Sequence, residues 1–256
     1  MVYSPCLDIF FAKLPFEERM RRVADLGFGA FEFWSWWDKD IDAIRSAMLS
    51  YSLELAALCT RFVPLTDSAR RDEYESALKE TIAVAHSLRC HTIISQVGPE
   101  ISGSSREEQH DSIVRGLRQC APVLEQENML LVIEPLNTIY DHKGYFLTQS
   151  AEAARIIQSV GSESVAMLFD VYHQQVTEGN LIGNIRSYQD MIGHIHIADC
   201  PGRHDIGSGE INYASVLTAI EATGYEGRIG IELFPEDADH SIALRNPLFH
   251  RGASKL

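Results

Sequence analysis

Short apolar segments recur eight times along this chain, each followed by a helical stripe or the start of one, at intervals of about 24 to 38 residues. They fall at 4–11, 29–34, 53–59, 92–97, 129–134, 165–171, 193–199 and 228–234. Each reads as a near-continuous apolar run, as strands covered on both faces should. The stripes between them have helical spacing: Phe16, Met20, Val23 and Leu26, closed by Gly27, then Ile41, Ile44, Met48 and Tyr51. Tyr74, Leu78, Ile82 and Ala85 mark a longer helix over 68–86, Ile113, Leu117, Cys120 and Leu124 the next, and 151–160 another. Leu181, Ile185 and Tyr188, then Val216, Leu217 and Ile220 before Gly224, mark the last two. Strict β-then-α alternation dictates a parallel sheet. Eight units in 256 residues fit a single-domain (β/α)₈ TIM barrel. A doubly wound open sheet is the alternative, weakened by the count of eight and by the lack of a G-x-G-x-x-G after the first strand. No linker divides residues 1–256, and 237–256 should hold one short helix and a tail.

Composition narrows the partners. A formal charge of −14 argues against a nucleic-acid backbone as ligand, which calls for clustered Lys and Arg. The five cysteines are scattered, with no C-x-x-C, so reduced thiols are expected. No basic-plus-apolar leader opens the chain, and no run approaches the ~18 apolar residues of a membrane span. A cytoplasmic location, with no membrane partner, is the expectation.

In a barrel of this kind, functional groups sit at the C-terminal ends of the strands. The last inward residues of the four late strands are Glu134, Asp170, His196 and Glu232, spaced by 36, 26 and 36 residues, each about one β/α unit. Three carboxylates cannot share a pocket as anions without a cation, because like charges raise each other's pKa. For any one of the four alone, a structural ion pair is the simpler account. Four in register favour a divalent metal. Mostly oxygen ligands with one imidazole suit Mn²⁺ or Mg²⁺, with Co²⁺ or Zn²⁺ as alternatives. His194 lies one layer deeper and reads as a core histidine with a partner inside the barrel. Glu32, between residues that would face outward, should also point inward and could orient such a histidine. Trp34, Trp36 and Trp37 could wall a pocket or bury at an oligomer contact.

These residues carry a resemblance. The stretches 133–137 (IEPLN), 169–173 (FDVYH), 193–199 (GHIHIAD), 201–203 (PGR), 207–211 (GSGEI) and 230–233 (GIEL) resemble the xylose-isomerase-like TIM-barrel superfamily, and within it most the hydroxypyruvate isomerase branch. The likeness runs in order from about Leu130 to Pro235. It implies that Glu134, Asp170, His196 and Glu232 bind the metal. It further implies that Glu134 and Glu232 are the acid–base carboxylates, and that His173 and Arg203 hold substrate oxygens. The implied activity is isomerisation of a small hydroxy-carbonyl compound, hydroxypyruvate-like or a short sugar, by proton transfer through a metal-bound enediolate. Such chemistry needs a base for a carbon-bound proton and an electrophile for the oxygens.

Alternatives stay open. Ketose 3-epimerases of the superfamily carry a further substrate-binding Glu shortly after the first metal ligand, where 137–140 here reads NTIY, though Tyr140 or Asp141 could substitute. A lyase on the same scaffold, a dehydratase or a 3-keto-glycoside cleaving enzyme, would share the first proton abstraction. A non-catalytic sugar-binding barrel would not need two carboxylates flanking a metal. Residues 203–210 also faintly resemble endonuclease IV, but that enzyme needs extra histidines at the ends of strands two and three, absent here. His86, His110, His240 and His250 read as ordinary surface or helix residues. The expected partner is a small-molecule substrate, not nucleic acid, and a homo-oligomer stays open.

Overall fold

The apolar runs become the staves of a closed parallel barrel in the computed structural model, which describes residues 1–250. In chain order the strands are β1 (Val2–Pro5), β2 (Ala30–Phe31), β3 (Glu54–Leu55), β4 (Leu58–Cys59), β5 (Thr92–Ser95), β6 (Leu130–Ile133), β7 (Val165–Asp170), β8 (Ile192–Ile197) and β9 (Arg228–Ile231). Around them run α1 (Phe16–Asp25), α2 (Ile41–Tyr51), α3 (Arg71–Ser87), α4 (Arg106–Gln126), α5 (Ser150–Val160), α6 (Val171–Thr177), α7 (Leu181–Ser187), α8 (Tyr213–Ala222) and α9 (Ser241–Leu244). Seven strands hydrogen-bond in the order β1-β9-β8-β7-β6-β5-β4, while β2 pairs with β3. A parallel bridge from Cys6 to Glu32, and the bonds Phe33 N to Ala57 O and Cys59 N to Trp34 O, close the circle. The expected (β/α)₈ barrel is what forms, with β3 and β4 as two halves of one stave.

Differences from the sequence reading lie at element ends. The first strand stops at Pro5 rather than at residue 11, because Asp8 turns the chain: its carboxylate accepts from Trp34 N at 2.7 Å and pairs with Lys39 at 2.9 Å. The third strand, expected over 53–59, breaks at Ala56 and Ala57. The short helix α6 was not anticipated. It begins where β7 ends, its first N–H groups bonded to the Asp170 side chain. Within 237–256, α9 and a 3₁₀ turn at Pro247–His250 form the short helical part, and the expected tail at 251–256 lies outside the described residues.

Two packed regions result. The main core sits between the strands and the helices, built from residues such as Phe10, Phe31, Leu78, Leu117, Ile156 and Phe169. The barrel interior is a separate, smaller cluster of Ala57, Cys59, Ile94, Val132, Ala166 and Leu168. An eight-stranded barrel leaves room for little more than such layers. The rest of the interior is polar: Ser4, Glu32, His194 and His196 are all buried there. Gly193 keeps the layer sterically possible, since a Cβ there would lie 2.9 Å from both Ala166 Cβ and Leu130 Cδ2. Among the described residues no helix is long and apolar enough to cross a membrane.

Candidate active site

Strand register assembles the site. Asp170 closes β7 level with His196 on β8, which is level with Gly230 on β9. Glu232 follows β9, and Glu134 follows β6. These four offer one ligand atom each, all within 4.8 Å of one another. Their exposures are only 5% for Glu134, 1% for Asp170, 2% for His196 and 5% for Glu232, so their charges act at low effective dielectric.

Each member is held differently. One Asp170 oxygen accepts from Tyr172 N at 2.8 Å and His173 N at 3.1 Å, which leaves the other facing the site. His196 Nδ1 lies 3.0 Å from Glu232 Oε2 and 3.8 Å from Glu134 Oε1. Glu232 takes a further bond from the Trp34 indole N–H. Arg203 reaches in from the loop after β8, its Nη2 bonded to Asp170 Oδ2 at 2.9 Å and also to Glu232 Oε2. Gly202 (φ 93°) and Arg203 (φ 60°) both lie in the left-handed region, which turns the arginine inward. For a non-glycine residue that conformation costs about 1 kcal/mol, offset here by the two ion pairs.

The two glutamates are driven apart in acidity. Burial, then the Glu232 charge, pushes the Glu134 carboxyl up to about 8. Burial also opposes ionisation of Glu232, but Arg203 and His196 outweigh it and hold that carboxyl well below the usual range. Two carboxyl groups pushed in opposite directions in one cleft are the pattern of an acid–base pair.

The residues fit a cation. Three carboxylates converge on one imidazole with a single guanidinium among them, and Glu134 Oε1 is buried without a hydrogen-bond partner. An orphaned buried carboxylate oxygen is costly unless something positive meets it. Three oxygens and one nitrogen suit a hard divalent ion.

The cluster floors a cavity of about 450 Å³ walled by Trp34, Cys59, Phe62, Gln96, Tyr140, His142 and Phe234. A side cleft of about 370 Å³ shares Phe62, Gln96, Asp141 and His142 with it. A larger cavity, about 660 Å³, opens at the opposite end of the barrel against Leu53, His194 and Arg228. It holds none of the four clustered groups, and in a barrel the strands' C-terminal ends carry the chemistry.

The sequence-derived set is thus brought together, with one exception in placement. His173 is wholly buried and does not line the cavity. Its Nδ1 accepts from the Asn137 amide at 2.7 Å, and its Nε2 lies 3.7 Å from Asp170 Oδ2. Burial lowers its pKa to about 4, so it stays neutral. His194 has the interior partner expected of it, Glu32, at 3.0 Å. Trp34 walls the cavity, whereas Trp36 bonds Thr81 and Trp37 packs edge-on to Phe62. Asp141 borders the cavity, its Oδ2 accepting from Asn137 and Tyr172. His110 is a buried residue of helix α4, and His240 Nδ1 accepts from Phe11 N.

Three contributors were not read from the sequence. His142 and Phe234 border the cavity from loops. Asp199, wholly buried, organises the Arg203 loop: one oxygen accepts from Cys200 N and Ile211 N, the other from Gly207 N at 2.7 Å. Hydrogen bonds to a charged group contribute about 1.5–3 kcal/mol each. Asp199→Ala should therefore lower thermal stability by at least about 3 kcal/mol and raise KM through the loosened Arg203 loop. Denaturant melts with steady-state kinetics check this, and a variant matching the parent in both would show that the loop holds its own shape.

A family model described as "Xylose isomerase-like TIM barrel" matches residues 20–248. Hydroxypyruvate isomerase of Escherichia coli (strain K12) is 33% identical over 245 residues, covering 91% of this chain and 93% of that one. The 2-oxo-tetronate isomerase of Pectobacterium atrosepticum is 24% identical over 241 residues, covering 91% and 92%. A crystal structure described as AP endonuclease, family 2, from Brucella melitensis shares the fold with a TM-score of 0.89 at 28% identity, covering 94% of this chain and 95% of that one.

Proposed function

The chain belongs to the xylose isomerase-like TIM barrel family, and on that premise we propose a divalent-metal-dependent isomerase that moves a hydrogen between adjacent carbons of a small hydroxy-carbonyl compound. That the protein is an isomerase of a small molecule follows from its relatives. The finer reading rests above all on one observation: Glu134 and Glu232 converge on a buried four-donor cluster and are driven to opposite acidities.

Glu134, Asp170, His196 and Glu232 would hold the cation. When bound, it would polarise the substrate's carbonyl and hydroxyl oxygens together. Glu232, fixed by Trp34, His196 and Arg203, has one orientation toward the cavity. Glu134 is less tethered, with Oε1 free of partners. One carboxyl group removes the proton from carbon and the pair returns it to the neighbouring carbon, passing through the enediol form of the substrate. Arg203 supplies a fixed positive charge to substrate oxygens as well as to the carboxylates. The His173 ring, held neutral behind Asn137, braces that loop rather than reaching substrate, while its backbone N–H holds Asp170. The cavity of about 450 Å³ lies within the ordinary range for small-ligand sites.

Nuclease chemistry finds no support in the cavity wall. Trp34 and Cys59 stand near the ends of the second and third staves, where the endonuclease IV resemblance requires histidines.

The test is incubation with hydroxypyruvate and with three- to six-carbon ketoses in D₂O, with Mn²⁺ or with EDTA. An isomeric product carrying deuterium, formed with Mn²⁺ and lost in EDTA, is the expected result. Release of water or an aglycone would replace this reading with a lyase. Turnover indifferent to EDTA would remove the metal from it.

A further inference from the structure

We propose that Glu32 is the positioning residue of the metal site, fixing the ring of His196 so that Nδ1 and not Nε2 is presented to the three carboxylates. This rests on reading His196 as a ligand. Glu32 follows β2, its side chain inside the barrel and only 2% exposed. A carboxylate buried there needs partners, because desolvating an unpaired charge is very costly. Its Oε2 accepts from His194 Nε2 at 3.0 Å, with Ser4 Oγ at 3.4 Å. Its Oε1 lies 3.1 Å from His196 Nε2. Neither of those two atoms has a hydrogen-bond partner, and the 3.1 Å between them is a close ion-pair contact, so each is the other's nearest available counterpart.

An imidazole that gives one nitrogen to a metal carries its proton on the other, and that N–H needs an acceptor to set tautomer and ring orientation. The two nitrogens of His196 divide in this way. Nδ1 faces Glu232 and Glu134, and Nε2 faces Glu32. His194 packs edge-on beneath, ring centres 5.0 Å apart, and steadies Glu32 from the deeper layer.

The backbone makes way for the pair. At Gly230 on β9, a Cβ would overlap Glu32 Oε1 and lie 2.5 Å from His196 Cδ2. The strand thus lacks a side chain at the place where Glu32 meets His196. Filling two vacant histidine hydrogen bonds would explain a carboxylate in the interior. It would not by itself link that carboxylate to metal affinity, and the two roles separate on that property.

The experiment is Mn²⁺ titration calorimetry on EDTA-dialysed full-length protein, for the parent, Glu32→Gln, Glu32→Ala and His194→Gln, each checked for folding by circular dichroism. Glu32→Ala should weaken Mn²⁺ binding by about 10–100-fold. Glu32→Gln keeps the shape but offers one acceptor oxygen to two histidine N–H groups, and should recover part of that loss. His194→Gln removes the ring packed against His196 while leaving Glu32 in place and should show an intermediate loss; it decides the matter if Glu32→Ala does not fold. A folded Glu32→Ala that binds Mn²⁺ within about twofold of the parent, against the 10–100-fold expected, would overturn the positioning role while leaving the metal site intact, as would parental affinity in His194→Gln where Glu32→Ala does not fold. A parent that binds no Mn²⁺ would instead overturn the metal reading, and this inference with it.

Discussion

Glu134→Gln and Glu232→Gln should each lower kcat by about 10²–10⁴-fold, the range that a positioned acid–base group contributes. Their effects on the protein without metal should differ, and that difference tests the electrostatic account of the site. Glu232 bonds Trp34, His196 and Arg203, so glutamine there sets an amide against a guanidinium and removes the charge that Arg203 answers. Metal-free Glu232→Gln should therefore be less stable than the parent. Glu134 has a raised carboxyl, about 8, caused first by burial and then by the Glu232 charge. A carboxyl raised on folding takes up a proton that the unfolded chain releases above its own value near ~4.3. It therefore costs stability as pH rises from that value, and the cost is complete above about 8. In EDTA, Glu134→Gln should match the parent in melting temperature near pH 4 and exceed it at pH 8. With saturating Mn²⁺ the order should reverse, since the parent then gains a ligand that the variant lacks. Full turnover by both variants would sink the acid–base assignment. A pH-independent difference in metal-free melting would sink the account of Glu134 alone.

The barrel was legible because its strands are covered on both faces and so appear as unbroken apolar runs, a signal needing no long-range information. The four clustered residues were legible for a related reason. Side chains alternate along a strand, and in this fold the last inward position of each strand faces the site. What stayed hidden depends on contacts between distant segments. The first strand ends early because Asp8 reaches Trp34 and Lys39. Helix α6 is seven residues long and starts on the carboxylate of a candidate ligand, leaving no stripe to read. Asp199 looks like any polar loop residue until three backbone N–H groups fold onto it. Glu32 was legible as inward-facing and as a partner for His194, but its second contact, to His196, depends on a ring orientation that no spacing encodes.

Arg203→Met should destabilise the metal-free protein by about 3–5 kcal/mol, the penalty of removing one partner from a buried ion pair. Arg203 is 8% exposed, its guanidinium bonds two carboxylates, and its Nε donates to the Glu232 carbonyl at 3.1 Å. Methionine fills a comparable length but leaves Asp170 and Glu232 side by side with only His196 to answer their charges, with that of Glu134 added as pH rises through about 8. Arg203 therefore acts as a counter-cation built into the cluster, and a divalent ion would perform the same service more strongly. Two consequences separate this from loss of packing. The deficit in melting temperature should shrink when Mn²⁺ is added, because the ion neutralises the carboxylates that the variant exposes to one another. It should also shrink as pH falls, because protonating those carboxylates removes the repulsion. A deficit unchanged by Mn²⁺ and by pH would make Arg203 a packing residue. A metal-free protein as stable as the parent would show that the cluster does not need it at all. Lysine should not restore the parent, since a single ammonium cannot bond Asp170, Glu232 and the Glu232 carbonyl from one fixed fork.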